Sequence, residues 1–380
     1  MYFRSVLSWI FSKERKGFKG KSKESAYGFW DEGFLHNFCG VRQNNGMQCG
    51  QTIFFKNKPK IIAASTVAGP KECAGIVGKY VDYPLSDDMF AESTFERAER
   101  KMLLYALRSS MEKAGLKEGA DVILSGDLLN QIISASFAAR ETGLPYLGIY
   151  GACSTMSEGL LLASVLVDGG YAKTAVAATG SHFASAERQY RYPLELGTTR
   201  PPQSQWTVTG AGSAVVAREG KGPCITSATV GKVVDFGVSD VNNMGAAMAP
   251  AACDVILAHL KDTKRDPGYY DLILTGDLGV LGSRIVRDLV WEKGVDIFEN
   301  HNDCGAMIYK HAEDEFQGGS GAGCCAVVFN SFILHQMEQK KLNKVLFVAT
   351  GALLSTVSSE QGETIPCVAH AVSVENIEAE

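Results

Sequence analysis

Residues 121–128 read D-V-I-L-S-G-D-L, and residues 271–278 read D-L-I-L-T-G-D-L, six identities in eight positions at an offset of 150. The echo continues downstream. Cys153 in G-A-C-S is answered by Cys304 in N-D-C-G at an offset of 151, and A-T-G at 178–180 by A-T-G at 349–351 at 171. The second copy therefore carries an insertion between its last two landmarks. Two copies of so long a unit are not a solenoid, which needs shorter repeats and more of them. The pattern predicts a duplicated domain folded about a pseudo-two-fold axis, within the two to three domains that 380 residues suggest at ~150 residues each.

Each copy shows the same order of elements. In the first, an amphipathic helix over Thr94–Gly115 precedes a buried strand, Asp121–Ser125. A helix through Ala135–Thr142, a strand Tyr146–Tyr150 and a small-residue helix Met156–Asp168 follow, then strand Thr174–Thr179 and hairpin strand Gly212–Arg218. In the second copy the matching pieces are helix Ala247–Thr263, strand Asp271–Thr275, helix Ile285–Lys293 and a short strand Val295–Glu299. A long helix Gly321–Lys341, strand Lys344–Thr350 and a last strand near Pro366–Glu375 complete it. Strands alternating with helices in this way predict an α/β fold with largely parallel sheets covered on both faces. The expected divisions are an extension over 1–46, one half over 47–222 and a second over 223–380.

A net charge of −5 offers no general reason to expect nucleic acid as a partner. Ten cysteines without a C-x-x-C pair read as reduced thiols in a cytosolic compartment rather than as a zinc site or a disulfide framework. Met1–Ser25 sets Tyr2, Phe3, Trp9 and Phe11 before a run of lysines and arginines. That composition suits an anionic membrane surface, but it reads first as a disordered tail, or as a start placed too early with Met47 as the alternative. No stretch approaches the ~20 apolar residues needed to span a bilayer.

G-A-C-S-T-M-S-E-G (151–159), V-T-G-A-G-S-A-V-V-A-R-E (208–219) and G-G-S-G-A-G-C-C-A-V-V (318–328) resemble segments of the thiolase superfamily. The first is similar to the turn that sets a nucleophilic cysteine at a helix start. The resemblance implies the five-layer αβαβα arrangement of thiolases and acyl-condensing enzymes. S-T-V-A-G-P-K-E (65–72), S-G-D-L-L-N-Q (125–131), Y-G-A-C-S-T-M-S-E (150–158) and N-H-N-D-C-G (300–305) more closely resemble the stage V sporulation protein AD family of spore-forming bacteria. That resemblance implies a protein that binds dipicolinic acid and takes part in its uptake into the developing spore. It also implies a place in the forespore cytoplasm, peripheral to the inner spore membrane, beside other stage V sporulation membrane proteins. Thiolase-like proteins often pair through their sheets, so the wider resemblance allows a homodimer, although the sequence carries no interface signature of its own and leaves the oligomeric state open.

Chemistry separates this reading from a condensing enzyme. Cys153 suits a thiolate nucleophile, because a helix N-terminus lowers a thiol pKa. Its catalytic partners are replaced. Gly318-Gly319-Ser320 stands where thiolases place a histidine, Ala349-Thr350-Gly351 where they place a second cysteine, and Thr275-Gly276-Asp277 where three-oxoacyl synthases place a histidine. The expectation is a binding protein rather than an enzyme, with acyl condensation at Cys153 as the alternative and a structural subunit of a transport complex as a second. Cys153 then becomes a pocket wall. His182 and His301 stand beside Gly-rich strand ends, Asn302 and Asp303 follow, and Arg188 and Arg191 would fork the carboxylates of a flat aromatic dianion. Asp127 and Asp277, paired by the repeat, are as readily helix caps as ligand contacts. No cofactor is expected beyond calcium carried with the dipicolinate, for which these carboxylates and Asp303 are the hard-oxygen candidates.

Overall fold

The computed structural model describes residues 47–190, 199–309 and 317–377, all within one compact unit, Arg42–Glu380. The extension over 1–46 and Arg191 lie outside the described residues. Ten strands carry the fold: β1 (Lys60–Ala68), β2 (Val122–Gly126), β3 (Tyr146–Gly148), β4 (Thr174–Ser181), β5 (Gly210–Ala217), β6 (Cys224–Thr229), β7 (Leu272–Gly276), β8 (His301–Asp303), β9 (Lys344–Ala352) and β10 (Cys367–Glu375). They lie in the order β3-β2-β4-β5-β1, then β6-β10-β9-β7-β8. Each of β1 to β5 thus has its counterpart five strands on in the chain, at the mirror-image place in this order.

The pairing directions repeat as well. β2 runs parallel to β3 and β4, and β5 antiparallel to β4 and β1. Likewise β7 runs parallel to β8 and β9, and β10 antiparallel to β9 and β6. The two five-stranded sheets join at the Cys224↔Lys60 pair, flanked by the Ile61 N–H to Pro223 and Ile225 N–H to Pro59 carbonyl bonds.

The helices are α1 (Phe95–Lys113), α2 (Ile133–Thr142), α3 (Thr155–Asp168), α4 (Phe183–Tyr190), α5 (Met244–Thr263), α6 (Gly279–Trp291), α7 (Cys304–Ile308) and α8 (Ala322–Val328). Thr94 caps α1 by accepting the Arg97 N–H, and left-handed Gly115 follows its end. Ala98, Met102, Leu103, Ala106, Leu107 and Met111 form its buried stripe against Val176, Ala211 and Val215 of the first sheet. On the far side, α5 and α6 cover the second sheet through Ala252, Val255, Ile256, Val286 and Val290. Between the sheets lie α3 and α8, whose Met156, Leu160, Ala163 and Val327 share one core with Leu124, Ala214, Val345 and Phe347. Five layers result, in the order helix, sheet, helix, sheet, helix.

The glycines of T-G-A-G (209–212) make the middle layer thin. A Cβ at Gly212 would come within 2.5 Å of the Ala326 carbonyl oxygen, so α8 lies directly on the backbone of β5.

Three details differ from the sequence reading. The short strand expected over Val295–Glu299 is a turn, and the strand begins at His301. Asp296 accepts the Phe298 N–H and so holds the backbone out of a ladder. The single helix expected over Gly321–Lys341 is α8 followed by a π-helical stretch, Phe329–Ile333, and a short helix, Leu334–Glu338. The echoes also drift out of step. Pairing sets Gly126 opposite Thr179 and Gly276 opposite Ala349, so the two A-T-G strings are offset by one residue, and a one-residue slip in a strand reverses the facing of each side chain. β1 and β6, where the sheets join, carry no part of the echo.

Candidate functional site

The ends of β2, β7 and β9 and the turn between β3 and α3 converge on Cys153. The turn Ala152–Ser154 leads into α3, and Ala152 adopts φ +51°. A left-handed non-glycine residue costs on the order of 1 kcal/mol and persists only where its surroundings fix it. Gly351 of β9 does part of that fixing. A Cβ there would lie 2.0 Å from the Gly151 carbonyl oxygen, so only glycine lets β9 brace the turn. No side chain caps the start of α3, whose Thr155 N–H donates to the Ala152 carbonyl of the turn, and the positive end of the helix dipole lies beside Cys153.

Cys153 opens onto a cavity of about 60 Å³. Tyr150, Leu128 and Ala152 wall it from the first half, with Ala186, Glu187 and Tyr190 of α4. Met244 and Met248 of α5, Ser320, Ala352 and Leu354 close it from the second half, with Thr207 between. The Tyr150 and Tyr190 hydroxyls lie 3.3 Å apart, and the Tyr190 hydroxyl donates to the Leu128 carbonyl. Burial raises the pKa of both phenols, so both stay neutral donors. Glu187, buried, receives the Thr207 hydroxyl at 2.8 Å and pairs with the largely covered Arg200 at 3.2 Å. The Arg200 guanidinium lies over the stacked rings of Phe183 and Trp206. A larger groove, about 890 Å³, runs past Ile61–Ala64 and Lys221–Pro223 where the sheets meet. It contains none of the residues singled out by sequence, and the chemistry concentrates at Cys153.

Of those residues that are described, Cys153 alone lines the cavity. Asp127 caps α2: its two oxygens accept the Leu129 and Ala135 N–H groups at 2.7 Å, and burial lifts its pKa to about 6. Asp303 accepts from the Thr275 hydroxyl and the Leu278, Gly279 and Ala306 N–H groups, also with a pKa lifted to about 6 by burial. His182 is buried, with Nδ1 accepting the Ala184 N–H and Nε2 bonded to the Asp88 carbonyl. The His301 ring lies between Arg287 and the Thr275 hydroxyl, and burial lowers its pKa to about 3. Asn302 is exposed on β8, at the edge of the second sheet. Arg188 pairs with Glu96 in a separate cleft.

Asp277 lies behind Cys153, fully buried, with neither carboxyl oxygen in a hydrogen bond. It faces the Cys324 and Cys153 thiols and the Cys325 N–H. Burial, reinforced by the charge of Asp303, raises its pKa well above the usual carboxylate range. Among the described residues no cluster of three or more histidine, cysteine or acidic side chains could hold a metal ion. Of the carboxylates expected to meet calcium, Asp127 and Asp303 hold backbone N–H groups, and Asp277 is buried behind Cys153. None of the nine described cysteines is in a disulfide.

The Glu187–Arg200 pair and the methionine wall were not anticipated. Met244 and Met248 stand four apart on one helical face, a spacing that marks a shared surface. Arg200 follows the arginine-rich string that drew attention to Arg188 and Arg191, and nothing local distinguishes it.

The family described as stage V sporulation protein AD (SpoVAD) matches residues 49–375. The stage V sporulation protein AD of Bacillus subtilis (strain 168) is 47% identical over 326 residues, covering 86% of this chain and 96% of that protein. Among solved structures, 3-oxoacyl-[acyl-carrier-protein] synthase III from Aquifex aeolicus VF5 aligns with a TM-score of 0.52 at 15% identity, over 84% of this chain and all of that one. Cerulenin-bound OleA of Xanthomonas aligns at 0.56 and 10% identity, over 87% of this chain and 100% of that one. At such identities the likeness establishes the thiolase-like fold alone.

Proposed function

The chain belongs to the stage V sporulation protein AD family, and we propose that it serves sporulation by holding dipicolinic acid, alone or as its calcium complex, in the cavity at Cys153. It does so without chemistry, and hands the ligand to an uptake apparatus of stage V sporulation membrane proteins at the inner spore membrane. The observation that carries this reading is the cavity's wall. Two tyrosines and two methionines offer polarisable surface for an aromatic ring, Ser320 and the tyrosine hydroxyls offer polar contacts, and the positive end of α3 favours a carboxylate. No described lining residue is a histidine, the base that condensation at Cys153 would call on. Arg200 holds the charge of Glu187 away from an incoming dianion.

At about 60 Å³ the cavity is smaller than the ~300–1,000 Å³ of typical ligand pockets. Binding therefore requires rim side chains such as Tyr190 and Leu354 to swing outward. No described helix is long and apolar enough to cross a membrane. Calorimetry tests the reading: saturable binding of dipicolinate, with or without Ca²⁺, supports it, and heats of dilution alone in both titrations refute it.

One observation favours a second reading. Cys153 keeps the position of a nucleophile at the start of α3 within a condensing-enzyme fold. That reading requires an acyl adduct on the Cys153 peptide after incubation with acyl-CoA, seen by mass spectrometry.

A further inference from the structure

The two G-D-L echoes have parted in function, and the parting frees one carboxyl group. In the first half, Asp127 of the echo accepts the Leu129 N–H and so starts the turn into α2. The equivalent N–H in the second half belongs to Gly279, and it is taken by Asp303 from the neighbouring strand, along with that of Leu278. Asp277 is thereby released from the capping duty of its counterpart. It remains fully buried, without a hydrogen bond to either oxygen, facing Cys153. An ionised carboxylate so placed would have only the weak thiol donors of Cys153 and Cys324 and the Cys325 N–H within reach, against the four donors that satisfy Asp303.

We propose that Asp277 governs the thiol of Cys153: as an uncharged acid it leaves that thiol open to small electrophiles, and as a carboxylate it closes it. Cys153 is then a modification site, reached through the cavity and controlled from behind. The titratable groups facing Asp277 are Asp303 and Cys304 at the start of α7, Cys324 and Cys325 of α8, and Cys153 itself. The three α7 and α8 thiols are fully buried, and burial holds them protonated. Asp303 carries the local negative charge, satisfied by four donors, and disfavours a second charge beside it. On the other side, the N-terminus of α3 favours a thiolate at Cys153. A unit negative charge about 4 Å from the sulfur, at an effective dielectric constant of about 20, would cut the thiolate fraction roughly a thousandfold. The state of Asp277 therefore outweighs the helix.

Iodoacetamide is the probe. The Cys153 thiolate attacks the methylene carbon, a C–S bond forms as the C–I bond breaks, iodide leaves, and the thiol proton goes to solvent. Rates are read on the Cys153 peptide by mass spectrometry across about pH 6–10 in the full chain, with Cys153→Ser confirming the assignment. Asp277→Asn mimics the neutral acid. At about pH 7 its rate is expected within about fivefold of the wild type. At higher pH the wild-type rate falls behind the variant as Asp277 ionises, a break that a purely structural role would not produce. A change beyond about fivefold at pH 7 overturns the proposal: acceleration means that Asp277 is already charged, and slowing means that it acts as a base. If Asp277→Asn does not fold, the wild-type profile decides alone, and a rise following one ionisation with no second break overturns it.

Discussion

Arg200→Met tests how the cavity wall is held. Arg200 and Glu187 form an ion pair at 3.2 Å whose side chains are 11% and 1% exposed, which places it with buried rather than surface pairs. At that separation and an effective dielectric constant of about 20, Coulomb attraction amounts to about 5 kcal/mol before desolvation. Removing one partner of a buried pair costs about 3–5 kcal/mol, because the other charge is left without compensation. Methionine keeps some of the contact with the Phe183 and Trp206 rings but loses the cation over them and the hydrogen bond to the Gln205 carbonyl. The expected loss in urea unfolding is therefore about 3–5 kcal/mol. The double variant Arg200→Met, Glu187→Gln should recover much of it, since no buried charge remains. Dipicolinate should bind Arg200→Met at least about tenfold more weakly than the wild type, as an unpaired Glu187 repels a dianion. A single-variant cost below about 1 kcal/mol, the surface-pair range, would refute the reasoning. So would a double variant no more stable than the single.

Other outcomes follow from the same structure. Burial raises the pKa of Glu72 to about 7, and its Oε1 accepts the Thr209 N–H and the Tyr309 hydroxyl. A carboxyl raised on folding contributes stability that is full below about pH 4.5 and is lost as pH rises through about 7. Glu72→Gln keeps both hydrogen bonds and should therefore lack this loss, becoming more stable than the wild type at pH 8 by on the order of 3 kcal/mol. Denaturant titrations of both proteins at pH 5 and 8 check the sign. Asp303→Ala strands three backbone N–H groups, each worth about 1–3 kcal/mol when buried and unpaired, and should lower stability by at least about 3 kcal/mol. Asp277→Asn, at a carboxyl that accepts no hydrogen bond, should cost under about 1 kcal/mol in the same assay.

What was legible in the sequence follows from what repeats. The echo at 121 and 271 marks β2 and β7, the central parallel strands of the two sheets, and the hydrophobic periods around it place α1, α3 and α5 within a few residues. Buried strands are long apolar runs, so their spacing survives divergence. β1 and β6 escaped because they join the halves and have no echo to point to them. The site was harder to read. Cys153 was found because a cysteine at a helix start carries its own signature. The histidines and Arg188 looked equally suggestive, yet His182 and His301 bond to their surroundings and Arg188 to Glu96. Whether a polar side chain meets a cavity or a carbonyl is decided by tertiary packing, which neighbouring residues do not encode. The two G-D-L aspartates show the limit most clearly. Identical strings gave one satisfied cap and one unpartnered acid, and the difference lies in Asp303, 26 residues beyond Asp277.

The most direct test of the central claim is a crystal structure of the chain soaked with dipicolinate. The account predicts a flat ring beside Cys153, against Tyr150 or Tyr190 and the Met244 and Met248 thioethers, with one carboxylate at the start of α3 and the rim side chains swung outward. Density for the ligand in the groove along Lys221–Pro223, or a cavity that remains closed at ligand concentrations saturating in solution, would contradict it.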